Sequence, residues 1–200
     1  MKRVIIVHLQ YPELGGIKIQ PAESICDESA VRIYRPVISR IIEQVKSANP
    51  DILAVAYDLS DRAAGIRELI LPMLHAFQGE TRWYSRSDGD TGQLIRTAVT
   101  AVFDSEPQAK LAVNGSSCIN LYLKVWTSVW SNLGHKDDVV FGPSADGRLY
   151  LLGLTQPHES LFREVLWSAG VMVSRSFEAA AKRGLRVHRL SERAIVTSAI

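Results

Sequence analysis

Apolar residues along this chain fall into two alternating rhythms, short continuous runs and stripes at three- and four-residue spacing. Continuous runs suit strands covered on both faces, and stripes suit amphipathic helices, so the alternation predicts an α/β layer fold. RVIIVHL, residues 3–9, is such a run and predicts a strand of a largely parallel sheet. Residues 28–48 follow with Val31, Tyr34, Ile38, Ile41, Ile42 and Val45 at helical spacing, until Asn49, Pro50 and Asp51 break the pattern. ILAVAY at 52–57 predicts a second strand, and Ile66, Leu69, Ile70 and Met73 stripe a helix over about 61–75. A short strand at TRWYS, the polar loop RSDGDTG and a helix through QLIRTAVTAVF come next. KLAVNG at 110–115 reads as a strand ending in a glycine turn, before a helix over about 120–133.

Residues 138–154, DVVFGPSADGRLYLLGL, predict a β-hairpin, because β-branched and aromatic runs flank a cluster of turn residues. Two further helices are expected, PHESLFREVLW with Pro157 in its first turn and GVMVSRSFEAAAKRG ending at Gly184. LRVHRL and AIVTSAI close the chain as strands. In open α/β sheets ligands lie beyond the carboxyl ends of the strands, which singles out QYPELGGIKIQP, GSSCIN and GPSADGR. Each is rich in glycine or small polar residues, so a backbone can approach a ligand, although ordinary turns have the same composition.

Composition narrows the function classes. With 200 residues the chain suits a single domain over 1–200 that buries roughly 70% of its unfolded surface. No apolar stretch reaches membrane-helix length, and the basic start before RVIIVHL lacks a cleavage site, so a cytoplasmic protein without membrane association is expected. A net charge of +2 with scattered basic residues argues against a nucleic-acid partner. Cys26 and Cys118 are read as reduced thiols.

The common chemical fingerprints are missing. No G-x-G-x-x-G follows the first strand, and neither a phosphate-binding G-x-x-x-x-G-K-[ST] nor a G-x-S-x-G elbow occurs. His8, His75, His135, His158 and His188 lie on separate elements without metal-ligand spacing and read as packed or surface residues. Trp126 and Trp130, four apart on a helix, form a core or interface stripe. An interface there would make them a face for a structural partner, a second copy of the chain included.

Several strings taken together resemble the bacterial glycosyltransferase-A-like family, relatives of the nucleotide-diphospho-sugar transferases and nucleotidyltransferases. GPSADGRLYLLGL, PHESLF and Trp167-Ser168 resemble its G-P-x-x-D-G-G-Y-Y-L-I-G-L, P-H-x-x-L-F and W-S-T segments, and GLRVHRL also resembles the family's C-terminal half. YPELGGIKIQP is similar to its Y-P-E-P-G-R-V-K-T-R-L, GDTGQLIRTAVTAVF to its G-D-L-G-x-R-M-x-x-A-F, and NGSSCINL stands where it has I-G-S-D-S-P-D-L. Order and spacing agree over nearly the whole chain. The resemblance implies a three-layer, Rossmann-like α/β domain with a mixed, mostly parallel sheet of the nucleotide-diphospho-sugar transferase type.

It also implies a ligand, a nucleotide or nucleotide sugar held with magnesium or manganese. Lys18, with backbone near Gly15 and Gly16, would hold phosphate, and Gly115, Ser117, Gly147, Trp167 and Ser168 would line the site. Asp146 would act on the acceptor or as a base, its other reading being an Asx-type turn. The family's metal-binding acids are replaced here, by Ser117 and Asn120 in one motif and by Ala194 and Val196 in the other. Two family arginines have become Gly16 and Gln20, and Asp88 and Asp90 are acids whose reach is open. A bound metal contributes several kcal/mol in such transition states, and each ~1.4 kcal/mol is tenfold in rate. Expected, then, is a transferase-like protein with impaired metal-dependent activity and no metal cofactor, or a catalytically inactive nucleotide- or sugar-binding module.

Overall fold

A computed structural model of the chain describes residues 1–9, 26–58, 63–86, 91–115, 118, 120–163 and 171–194. Among these, seven strands join in one sheet in the order β3-β2-β1-β4-β6-β5-β7. The strands are β1 (Arg3–Leu9), β2 (Ile52–Asp58), β3 (Glu80–Arg86), β4 (Lys110–Asn114), β5 (Asp138–Pro143), β6 (Leu149–Leu154) and β7 (Arg186–Arg189). All pair in parallel except β6, which runs antiparallel to both β4 and β5.

The continuous apolar runs are explained by cover on both faces. Ile5, Val7 and Leu9 of β1 point to one face, under α1 (Cys26–Ser47), α2 (Ala63–Ile70) and α4 (Leu123–Asn132). Val4 and Ile6 point to the other, under α3 (Thr91–Ser105), α5 (Ser160–Arg163) and α6 (Met172–Lys182). Three layers result, as the resemblance implied. Each residue of such a strand leaves water, and each fully buried Val, Leu or Ile contributes about 1.5–3 kcal/mol.

Several boundaries differ from the sequence expectation for identifiable reasons. The helix expected over 61–75 is α-helical to Ile70 and tightens into a 3-10 turn over Leu71–Leu74, where Pro72 lacks the N–H that an α-helix needs. The expected TRWYS strand extends to Glu80–Arg86. Helix α5 starts at Ser160, so Pro157 stands before it and not in its first turn, because His158 takes a left-handed backbone, φ 28°. AIVTSAI lies outside the described residues except for Ala194.

Trp126 and Trp130 stack at 6.2 Å between ring centroids and are buried inside the layer over β4, β5 and β6. Their face is core, which corrects the reading of it as a docking surface for a partner. Among the described residues no helix is long and apolar enough to cross a membrane.

The amino end of the sheet is closed by charged clusters. Asp138, 1% exposed, accepts the Gly134 and His135 backbone N–H groups at 2.8 and 2.6 Å, Arg186 Nε, and His188 Nε2 at 3.2 Å. Its burial favours the protonated acid, but these hydrogen bonds outweigh that and hold the carboxyl far below its ordinary value. Nearby strands are pinned at the same end by Glu106, which binds Lys2 at 2.6 Å and Arg82 at 3.0 Å. The opposite, carboxyl end carries the loops.

Candidate functional site at the carboxyl edge of the sheet

Chain direction decides what shares this edge. β1, β2, β4 and β5 end here and the antiparallel β6 begins here, so the β5–β6 hairpin lies beside the loop leaving β4. Strand order also reverses here, since β2 and β3 are added on one side of β1 and β4 on the other. Crevices for ligands open at such reversals.

The hairpin is built as a three-residue loop. Gly147 N–H donates to Ser144 O at 3.0 Å and Ser144 N–H to Arg148 O at 2.8 Å, while Gly147 takes φ 81°, a left-handed conformation that glycine adopts without Cβ strain. Asp146 occupies the bend. Its Oδ1 accepts Ser144 Oγ–H at 2.5 Å and its Oδ2 accepts Arg148 Nε–H at 2.6 Å, with the Arg148 backbone N–H farther off at 3.3 Å. Side-chain partners, more than the backbone N–H bonds of an Asx turn, therefore hold the acid. Partial burial works to raise its pKa, and the Ser144 and Arg148 hydrogen bonds overcome this and hold the carboxyl below the usual range.

Arg193 joins the hairpin to the neighbouring loop. Its N–H donates to Pro143 O and its carbonyl accepts from Ala145 N–H, both at 3.1 Å, while Nη1 donates to Asn120 O at 3.0 Å. Tyr150, 2% exposed, donates from its hydroxyl to Ser191 O at 3.0 Å, and burial pushes its pKa up against the influence of Arg193. The ring fits because residue 142 is glycine, since a Cβ there would come within 2.6 Å of Tyr150 Cε2. Cys118 is buried with a free thiol whose pKa burial raises.

Asn114 ends β4 between Val7 of β1 and Leu151 of β6. It is 0% exposed, yet neither Oδ1 nor Nδ2 has a hydrogen-bond partner.

Of the residues expected from the sequence, the structure brings Gly115, Asp146 and Gly147 to this edge. Gly115 donates its N–H to Tyr150 O at 3.0 Å, which joins it to β6, and Gly147 O accepts Val173 N–H at 2.9 Å, which ties the hairpin to the first turn of α6. Gly15, Gly16, Lys18, Ser117, Trp167, Ser168, Asp88 and Asp90 lie outside the described residues, as does Val196. Sequence reasoning assigned no role to Asn114, Ser144, Arg148 or Tyr150. A polar residue closing the buried run KLAVN was the one signal for Asn114.

Among the described residues, the acid side chains at this edge do not make a divalent-cation site. The described acid side chains of this edge, Asp146 and Glu192, face Arg148 at 2.5 Å and Arg189 at 3.9 Å, whereas magnesium takes unpaired carboxylate oxygens besides those of a phosphate. Among the described residues no group of three His, Cys, Asp or Glu side chains could hold a metal.

Strand order, the single antiparallel strand and the helices on both faces define the nucleotide-diphospho-sugar transferase fold, and solved structures agree. A protein given the provisional name nucleotide-diphospho-sugar transferase, from Desulfovibrio desulfuricans G20, is 21% identical, covering 97% of this chain and 81% of that one, with a TM-score of 0.73. 4-Diphosphocytidyl-2C-methyl-D-erythritol synthase is 12% identical over 98% of this chain and 90% of its own, with a TM-score of 0.54. CMP:2-keto-3-deoxy-manno-octonic acid synthetase, solved with CTP, is 11% identical over 98% and 92%, with a TM-score of 0.51. These likenesses establish the fold. The chain itself belongs to the family described as "Uncharacterized protein conserved in bacteria (DUF2064)", which matches residues 41–169. No curated protein matches it.

Proposed function

We propose that the chain is a nucleotide- or nucleotide-sugar-binding relative of the nucleotidyl- and glycosyltransferases whose metal-dependent chemistry is impaired. The observation that carries this reading is the state of Asp146, the retained acid of the hairpin, whose oxygens are taken by Ser144 and Arg148. A carboxylate so held is a weak base and a poor metal ligand, because either use requires breaking a charge-assisted bond. The exchange of family acids for Ser117, Asn120, Ala194 and Val196 points the same way.

Binding asks less than catalysis. Lys18 and backbone amides near Gly15 and Gly16 are the candidates for phosphate, with Ser117, Trp167 and Ser168 as further lining residues. Arg193, anchored to Asn120 O beside the β4 loop, adds a cation at the same edge. The enzyme reading keeps Asp146 near the acceptor, and its place at the carboxyl edge is what favours it. Incubation with nucleotide sugars and nucleoside triphosphates, with magnesium or manganese, separates the two. Binding without turnover supports the proposal, and turnover abolished by Asp146→Asn supports the enzyme.

A further inference from the structure

Side chains of β4 alternate between the faces, Leu111 and Val113 toward α3, and Ala112 and Asn114 toward the layer of α1 and α4. Lys110 Nζ donates to Trp130 O at 2.8 Å, so α4 runs back along β4 and its start lies level with Asn114. The carboxamide thus sits on the α1 and α4 face of the strand-order reversal, at the carboxyl end of β4. It is closed to bulk water and touches no donor or acceptor of the protein. Buried polar groups are almost always paired, and an apolar side chain at this position would avoid the cost of an unpaired amide. The resembling family pattern begins its motif with isoleucine there. Such a cost is tolerated at sites that a ligand completes.

We infer that Asn114 is a specificity-determining residue, its carboxamide pairing with a ligand edge that offers an acceptor and a donor side by side, on a nucleoside diphosphate seated where β1 and β4 part. This rests on the nucleotide-binding reading and names the group that reads the nucleoside. The amide has one accepting oxygen and two N–H donors, which suits the edge of a pyrimidine or the adjacent hydroxyls of a ribose. The cover over Asn114 must part for that edge to arrive.

The test compares wild type with Asn114→Leu and Asn114→Val, titrated calorimetrically with UDP, CDP and ribose 5-phosphate, each protein also being melted without ligand. Expected is at least about tenfold weaker binding in both variants, the loss of a buried pairing. Alongside it, the ligand-free melting temperature should rise by about 2–4 °C because an unpaired amide is gone. Loss with UDP and CDP alone puts the contact on the base, and loss with all three puts it on the sugar. Affinities within about twofold of wild type would overturn the inference while leaving nucleotide binding intact. A lowered melting temperature with unchanged affinity would overturn it too, assigning Asn114 to an internal water. No binding of any probe by wild type would sink the nucleotide reading and this inference together.

Discussion

Arg148 grips Asp146 with two guanidinium nitrogens, Nε at 2.6 Å and Nη2 at 2.5 Å from the same oxygen, Oδ2. The other oxygen takes Ser144 Oγ, so the acid at the tip of the hairpin clasps its own turn. Both side chains are about a third exposed, which keeps the pair in the range of exposed ion pairs. A double-mutant cycle with Asp146→Ala and Arg148→Ala, followed by urea denaturation, should return a coupling of about 0.5–1 kcal/mol. No measurable coupling would mean that the clasp does not form in solution.

Stability should decline at acid pH through Asp138. Its carboxyl is held well below the usual carboxylate value of about 3.9. A depressed pKa contributes stability that is fully present above the unfolded value and is lost as pH falls toward the folded one. Urea midpoints measured from pH 6 downward should therefore fall below about pH 4, and Asp138→Asn should flatten that limb. At neutral pH the same variant should cost about 2–4 kcal/mol, because Arg186 loses its carboxylate partner and two backbone N–H groups lose a charged acceptor.

Gly142 and Tyr150 should behave as a unit. An alanine at 142 would drive a methyl into a ring that is buried and anchored through its hydroxyl, and overpacking of this kind costs about 1–3 kcal/mol. Gly142→Ala should lower the melting temperature clearly in the wild-type background. In Tyr150→Ala, where the ring is gone and only Leu151 Cβ at 3.1 Å stays close, the added methyl should cost clearly less, and equal costs in the two backgrounds would refute the contact.

Much of the layer order was legible because burial on both faces leaves a plain mark. RVIIVHL and ILAVAY admit little but central strands, and SADG between two apolar runs fixes a hairpin. The three-residue loop follows from Gly147, whose left-handed backbone few other residues adopt as readily. Less could be read of the side-chain partners. Asp138 meets Arg186 and His188 across some fifty positions, and nothing local marks that meeting. The sequence suggested what Asp146 could do, while its occupation by Arg148 depends on geometry across a bend. Asn114 is harder still, since its meaning lies in the partners it lacks, which only a packed environment reveals.

The proposed reading rests on charge at the carboxyl edge, where the described acids Asp146 and Glu192 face arginines and where the resemblance implies that metal-holding acids have given way to neutral side chains. Calorimetric titration of the whole protein with UDP, CDP and GDP, once in EDTA and once with excess manganese, tests this most directly. Binding is expected in EDTA, with affinity changed by less than about threefold on adding manganese. Binding that appears only when manganese is present would contradict the account.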